Sequence, residues 1–403
     1  MSIGIFLGKK GVGIMKKIML RSSLLMVIIL ASCTPAATSI PSTFTPTLTL
    51  YSISAATIPG LHSEVPQTQD GLIIEPYLDV RNKDLSTLNI SLSESLIETL
   101  WFDQTTIWSE RDKPVAQNIL KLGMNPGMGV HDLHAEGITG KGVTVAIIDQ
   151  PVLLDHSEFQ GKIVKYHDVG TDTPEGSGSM HGPAVTSLLV GEYVGTAPNA
   201  RVYYVAVPSW FLDGQYYADA LDWIIAENEK LPAEGKIRAV SVSAAPSGLW
   251  SPFTKNQDAW SKARQRAENA GMLVLDCTLE YGITSPCQYD LNDPDNVAKC
   301  TPNWLGPKDS PHKRIFIPTS HRTSATEGFD KAIFSYQYTG WGGLSWSTPY
   351  LTGVLAMGWQ INPSLTGSQL LKILYSTAYV NKDKLSIVDP KAFIDGVRLT
   401  ISD

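Results

Sequence analysis

The stretch Gly142-Val-Thr-Val-Ala-Ile-Ile-Asp149 decides the architecture. It holds five β-branched residues and no charge before its terminal aspartate. A short, continuous apolar run of this kind is expected of a strand buried on both faces. Four later runs read the same way: "ARVYYVAV" (200–207), "IRAVSVSA" (237–244), "GMLVLDCT" (271–278) and "RIFIPTS" (314–320). Helical stretches fall between them: "GPAVTSLLVG" (182–191), "YYADALDWIIAENEK" (216–230) and "NQDAWSKARQRAENAG" (256–271). Strand and helix alternate with mostly short connections. This predicts an α/β fold with a mainly parallel sheet and helices on both faces. Ligands of such sheets sit beyond the carboxyl ends of the strands, so the residues at those ends matter most.

Three of them carry chemistry. Asp149 ends the first strand. His181 opens a helix in "SMHGPAVTSLLVG" (179–191). Ser345 lies in "GLSWSTPYLTG" (343–353), between the glycine-rich loop Gly340–Gly343 and the apolar run Val354–Met357. Each has an ordinary reading alone: a turn-forming aspartate, a structural histidine, a helix N-cap serine. Together they supply what a serine nucleophile needs. A base takes its proton, a carboxylate fixes the tautomer of the base, and a helix N-terminus faces the developing oxyanion. The chain order Asp, His, Ser is one of the known orders of that constellation.

These stretches resemble the subtilisin-like serine proteases, or subtilases. "LHAEGITGKGVTVAIID" (133–149) is similar to the family's lead into its first core strand, and His156 also matches a family position. "HGPAV" (181–185) resembles His-Gly-Thr-His-Val, and "GLSWSTP" (343–349) resembles Gly-Thr-Ser-Met-Ala-x-Pro. The resemblance runs from about Gly129 to Tyr379. It implies a three-layer subtilisin-like fold and a serine endopeptidase with Asp149, His181 and Ser345 as triad. Ser347 would be a neighbour without a catalytic role. It also implies that "VSVSAAPSG" (240–248) is the edge strand that pairs with the substrate backbone. Ser243, Ala244, Ala245 and Gly343 are then the substrate-binding candidates; Trp341 and Gly342 either line the leaving-group side or simply pack the loop.

The chain also departs from the family pattern. Gln150-Pro151 follows Asp149 where the family has Ser/Thr-Gly, and Pro183-Ala184 replaces Thr-His. More consequential is "GMLVLDCTLEYG" (271–282), which stands where the family has an asparagine that donates to the oxyanion. Counting from Gly271, the matching position is Glu280. An ionised glutamate cannot donate. The oxyanion region is therefore expected around Glu280, Thr278 and Ser345, with three readings open. Thr278, Tyr281 or His321 supplies the donor, Glu280 is kept protonated by burial, or the correspondence slips along the loop.

Outside that domain the sequence changes character. Lys16-Lys17 and Arg21 precede an apolar run from Leu24 to Ala31, which is too short to span a bilayer. The run closes as Leu30-Ala31-Ser32-Cys33, which resembles the bacterial lipobox and makes Cys33 the expected lipidation site. Residues 1–33 then read as a signal peptide, with Met15 an alternative start that leaves residues 1–14 untranslated. Residues 34–59 are rich in Thr, Ser and Pro and form a tether that could reach up to roughly 80 Å. Residues 60–124 are a weakly patterned extension, in which "LIIEPYLDV" (72–80) is a possible strand and "LSESLIETLWF" (92–102) has helical spacing. Residues 125–403 are the catalytic domain. The expected location is outside the cell, held to the membrane through Cys33. There Cys287 and Cys300 can pair, while Cys277 sits in an apolar run as a buried thiol.

The 403 residues carry a net charge of −7, without a long Lys/Arg block, which disfavours nucleic-acid binding. His131 and His134 lack a third ligand in sequence reach, so no metal site is expected. Asp290, Asp293 and Asp295 read as a solvated turn rather than as a calcium site. The expected partner is a peptide or protein substrate, with no cofactor and with the chain as a monomer.

Overall fold

The computed structural model describes residues 65–172, 179–303, 313–327 and 334–401. The signal, Cys33 and the tether lie outside the described residues. The N-terminal part gives the short helix α1 (Glu94–Ile97), strand β1 (Trp101–Asp103) and helix α2 (Lys113–Leu122). Helix α3 (Val130–Ala135) leads into an alternating series. This runs β2 (Thr144–Asp149), β3 (Ile163–Asp168), α4 (His181–Val190), β4 (Arg201–Ala206), α5 (Gly214–Glu229), β5 (Ile237–Val242), α6 (Gln257–Asn269) and β6 (Leu273–Leu275). Then come β7 (Thr284–Gln288), β8 (Thr301–Pro302), β9 (Ile315–Ser320), β10 (Arg322–Glu327) and β11 (Phe334–Thr339). The chain closes with α7 (Leu344–Ile361), α8 (Gly367–Thr377), β12 (Tyr379–Val380), β13 (Ser386–Ile387) and α9 (Pro390–Leu399).

The order β3-β4-β2-β5-β6 makes one sheet, parallel throughout. Its middle strand shows why the fold has three layers. Val145 and Ile147 of β2 point into one core, shared with Val185 and Leu189 of α4 and with Leu351 and Val354 of α7. Ala146 and Ile148 point into the other, shared with Leu221 and Ile224 of α5 and Trp260 of α6. Successive side chains of a strand alternate between faces, so a run apolar at every position needs helices on both sides. A second sheet, β12-β13-β9-β7-β8, is parallel across β13, β9 and β7 and antiparallel at both ends. Helix α7, buried over most of its length, packs on β5 of the first sheet and on β7 and β9 of the second.

All five runs read as strands are strands, within two or three residues at their ends. The structure adds elements that apolar periodicity does not reveal. Strand β3 is a half-exposed edge strand carrying Lys165, His167 and Asp168. Strands β10 and β11 join β1 in a third, antiparallel sheet. Arg322, Thr323, Ser324 and Thr326 of β10 are buried although polar. Buried polar groups need partners; Thr323 donates to the Leu120 carbonyl and Arg322 to those of Pro126 and Val194.

Residues 65–124 share the main core. Ile74, Val80, Leu85, Ile97, Leu100 and Phe102 belong to the same buried cluster as β2 and α7, and β1 pairs with β11. The stretch 72–80 is irregular, with single bridges Gln67–Ile73 and Asp79–Trp101. The helical spacing of 92–102 yields one four-residue turn before β1 begins. Cys287 and Cys300 form a disulfide with Cα atoms 5.7 Å apart, and Cys277 is a free, half-buried thiol.

Candidate active site

Asp149 is the last residue of β2 and is 3% exposed. Its Oδ1 accepts the Gln150 N–H at 2.8 Å and faces His181 Nδ1 at 2.6 Å. The turn altered by Gln150-Pro151 thus still fixes the carboxylate, and Gln150 Nε2 ties the turn to Ser209 Oγ at 2.8 Å. A carboxylate facing Nδ1 makes that nitrogen the protonated one and leaves Nε2 as the free base. His181 is the first residue of α4. A Cβ at Gly182 would run into the carbonyl oxygens of Gln150 and Pro151, so glycine lets α4 approach the Asp149 turn closely enough for that bond. Pro183 falls in the first turn of α4, where a missing N–H costs little.

Ser345 is the second residue of α7 and is half-buried. Its Oγ donates to the Ser243 carbonyl at 3.2 Å rather than to His181. In an unliganded site the nucleophile–base bond is often open, and it tightens on substrate. Helix α7 starts after Gly343 with no side-chain cap; the Trp346 N–H donates to the Gly343 carbonyl, and the N–H groups of Leu344 and Ser345 are left to face an anion. Pro349 lies inside the helix and has no N–H to give to the carbonyl four residues back, which is that of Ser345. Ser243 Oγ donates there instead, at 2.7 Å, and meets Thr348 Oγ1 at 2.9 Å. Trp346 presents its ring edge-on to His181, centroids 5.4 Å apart, and is buried with Ala184 and Leu188. Neither the Ser243 stitch nor Trp346 emerges from the sequence alone, although Pro349 four residues after Ser345 hints at the first.

The substrate candidates need one correction. Strand β5 is not an edge strand: it lies between β2 and β6. Ser243, Ala244 and Ala245 continue beyond its carboxyl end. There the Ala244 carbonyl accepts Cys277 N–H and the Ala245 carbonyl accepts Ser251 Oγ–H. Gly343 caps α7 beside them.

The loop after β6 is expected to face an oxyanion. Glu280 is exposed, so the burial reading loses its premise. Thr278 is fully buried, but its hydroxyl donates to Asp276 Oδ1 at 2.6 Å and accepts Tyr281 N–H. Asp276 is a buried hub that also takes Trp260 Nε1 and Arg264. Tyr281 lies under the Arg264 guanidinium, 4.4 Å from its ring centre. His321 Nδ1 meets the Tyr289 carbonyl at 3.0 Å. Two of the proposed side-chain donors, Thr278 and His321, therefore have a proton committed elsewhere.

The remaining singled-out residues have structural partners. His156 is buried, with Nε2 3.3 Å from the Ser335 carbonyl and its ring stacked on Phe159. Ser347 Oγ bonds the Leu344 carbonyl and Thr284 Oγ1. His134 Nε2 bonds the Thr196 carbonyl. Lys299 bridges Asp290 and Asp293 at 3.0 Å each, and Asp295 accepts Gly129 N–H.

The subtilase family model matches residues 140–294, a span that takes in Asp149, His181 and Glu280 and ends before Ser345. Subtilisin E of Bacillus subtilis (strain 168) is 24% identical over 261 residues, covering 61% of this chain and 63% of its own. Subtilisin-like protease 1 of Trichophyton rubrum is 26% identical over 277 residues, 64% of this chain and 50% of its own. Both are thus matched over less than two thirds of their length. Fervidolysin from Fervidobacterium pennivorans, a keratinolytic enzyme related to subtilisin, superposes with a TM-score of 0.53 at 16% identity, over 68% of this chain and 45% of that one. The fold is the three-layer α/β fold of subtilisin.

Proposed function

We propose that this chain is a subtilisin-like serine endopeptidase. The observation that carries the reading is the 2.6 Å bond between buried Asp149 and His181, at the carboxyl edge where Ser345 opens α7. In the proposed reaction Ser345 Oγ attacks the scissile carbonyl carbon as His181 Nε2 takes its proton. The negative oxygen then faces the N–H groups of Leu344 and Ser345 at the start of α7. His181 passes the proton to the leaving amine, the C–N bond breaks, and an acyl-enzyme remains on Ser345. Water, deprotonated by His181, releases the acid. Asp149 holds the imidazole in its tautomer throughout. Ser243, Ala244, Ala245 and Gly343 border the acyl side of the site.

The proposal places the domain outside the cell, anchored through Cys33 of the lipobox-like sequence, as a monomer that needs no cofactor. No helix of the described residues is long and apolar enough to cross a membrane. A second reading, a catalytically impaired subtilase-fold surface protein that binds peptides or protein partners, is favoured by exposed Glu280 at the family's donor position.

A fluorophosphonate probe separates the two. The purified protein, Ser345→Ala and Glu280→Asn are treated across acid to alkaline pH. Labelling of the wild type that disappears in Ser345→Ala supports the endopeptidase. Absence of labelling in folded wild-type protein at every pH favours the binding protein.

A further inference from the structure

A cleft of about 430 Å³ lies between the N-terminal extension and the disulfide-closed loop. Glu98, Gln288, Asp290, Lys299, Thr301 and His321 are among its walls. It adjoins the glycine loop before Ser345. Gly340 N–H donates to the Leu100 carbonyl, and a Cβ there would run into the backbone of Glu98 and Thr99. Gly342 N–H donates to Ser320 Oγ at 2.9 Å, one residue before His321. Gln288 ends β7 and His321 follows β9, whereas Ser243–Ala245 prolong β5 of the other sheet. The cleft therefore lies on the flank of the nucleophile loop away from the acyl-side residues.

The charge left free in it is negative. Lys299 is spent on Asp290 and Asp293. The Glu98 carboxylate has no hydrogen bond or ion pair among the described residues, and burial, Glu94 and Asp290 together push its pKa up. His321 is 6% exposed. Its Nδ1 must donate to the Tyr289 carbonyl, which leaves Nε2 a lone-pair acceptor without a partner among the described residues. A ligand that suits these groups is cationic and rich in N–H donors. A bare metal ion fits poorly, because no three His, Cys, Asp or Glu side chains converge to hold one among the described residues. A guanidinium spreads five donors over a plane and can reach acceptors that one ion cannot.

We infer that this cleft receives a basic side chain, arginine above all, on the leaving-group side of the scissile peptide bond. The inference rests on the endopeptidase reading for its place in the reaction. The cleft itself can be read without turnover. Fluorescein-labelled peptides that differ only by Arg, Gln or Glu at one position are titrated against Ser345→Ala and against Ser345→Ala/Glu98→Gln. Charge-assisted bonds are the strong ones, so the Arg peptide is expected to bind about tenfold more tightly than the Glu peptide. Glu98→Gln should erase most of that difference, with thermal unfolding as the check on folding. In parallel, wild type and Glu98→Gln cleave quenched peptides with the same substitutions at the first three leaving-group positions, with fluorophosphonate labelling as the measure of the serine. Arg preference that falls in Glu98→Gln at unchanged labelling supports the assignment. Equal binding of Arg and Glu peptides, or a preference indifferent to Glu98, overturns it. Arg binding that depends on Glu98 in a protein whose wild type never labels keeps the cleft and sinks the endopeptidase.

Discussion

The two ends of the candidate site are built to different degrees. At the base end, Asp149 and His181 are locked by a 2.6 Å bond, and the Asp149 turn is pinned by Gln150. At the nucleophile end, Ser345 Oγ rests on the Ser243 carbonyl, and the loop after β6 shows an exposed Glu280 where the family carries a donor. On the proposed reading, the base end is finished before substrate arrives. The nucleophile end offers the helix N–H groups and leaves the Ser345–His181 contact and the second oxyanion donor to be completed. Activity should therefore fail abruptly when the base end is cut and, short of replacing Ser345 itself, change by degrees when the nucleophile end is altered.

The largest effect tests that asymmetry directly. Asp149→Asn keeps the shape but presents an amide to His181 Nδ1 and favours the wrong tautomer, so kcat is expected to drop by about 10⁴. Ser345→Ala should remove fluorophosphonate labelling altogether. An Asp149→Asn enzyme within tenfold of wild type in a peptidase assay would break the comparison. Next comes Glu280→Asn, which supplies an amide at the family's donor position. One oxyanion donor is worth about 10²–10³ in kcat, and an exposed, unfitted loop should recover only the lower part of that. A gain of about ten- to a hundredfold would locate the deficit. No gain in kcat would mean that the donor comes from elsewhere or that the loop holds residue 280 too far away.

Legibility followed the same asymmetry. The five core strands announced themselves because burial on both faces demands apolar residues at every position. Asp149 and His181 could be placed because each ends or opens such an element. Strands β10 and β11 stayed hidden because their buried residues are polar and are satisfied only by distant partners, such as Leu120 for Thr323. The role of the extension was hidden for a related reason: its buried residues are scattered along irregular chain, and their common core exists only in three dimensions. Ser243 could be named as a site residue, but its bond to the Ser345 carbonyl depends on an apposition of β5 and α7 that no local pattern encodes.

A third effect sharpens the contrast through pH. His321 follows Ser320, which holds Gly342, so it supports the nucleophile end. Burial pushes its pKa down to about 4, with the Tyr289 hydrogen bond and Asp290 acting weakly the other way. The unfolded chain titrates near 6.5 and binds the proton first, so stability from the neutral ring is complete above about pH 6.5 and is lost as pH falls toward 4. The full loss is about 3 kcal/mol for this group. Thermal unfolding between pH 7.5 and 4.5 should show a smaller acid slope in His321→Asn, a substitution suited to the φ of +62° at this position. An unchanged slope would assign the acid sensitivity to other groups, His134 and His156 among them, whose pKa values burial also lowers.

The smallest effect concerns the stitch that braces the nucleophile end. Pro349 leaves the Ser345 carbonyl without its helical donor, and Ser243 Oγ supplies the substitute at 2.7 Å. Ser243→Ala removes that donor and leaves the half-buried carbonyl and the buried Thr348 Oγ1 to find other partners, at a cost of about 1–3 kcal/mol. The carbonyl of residue 243 survives the substitution, so the rest position of Ser345 Oγ is kept while the start of α7 loosens. The expected result is a lower Tm, a kcat reduced several-fold and a KM little changed, because the loss falls on the placing of the nucleophile rather than on substrate contact. Ser243→Thr, which keeps the hydroxyl, should restore much of the Tm. If Ser243→Ala instead raised KM with kcat intact, Ser243 would be a substrate contact first and a brace for α7 only second.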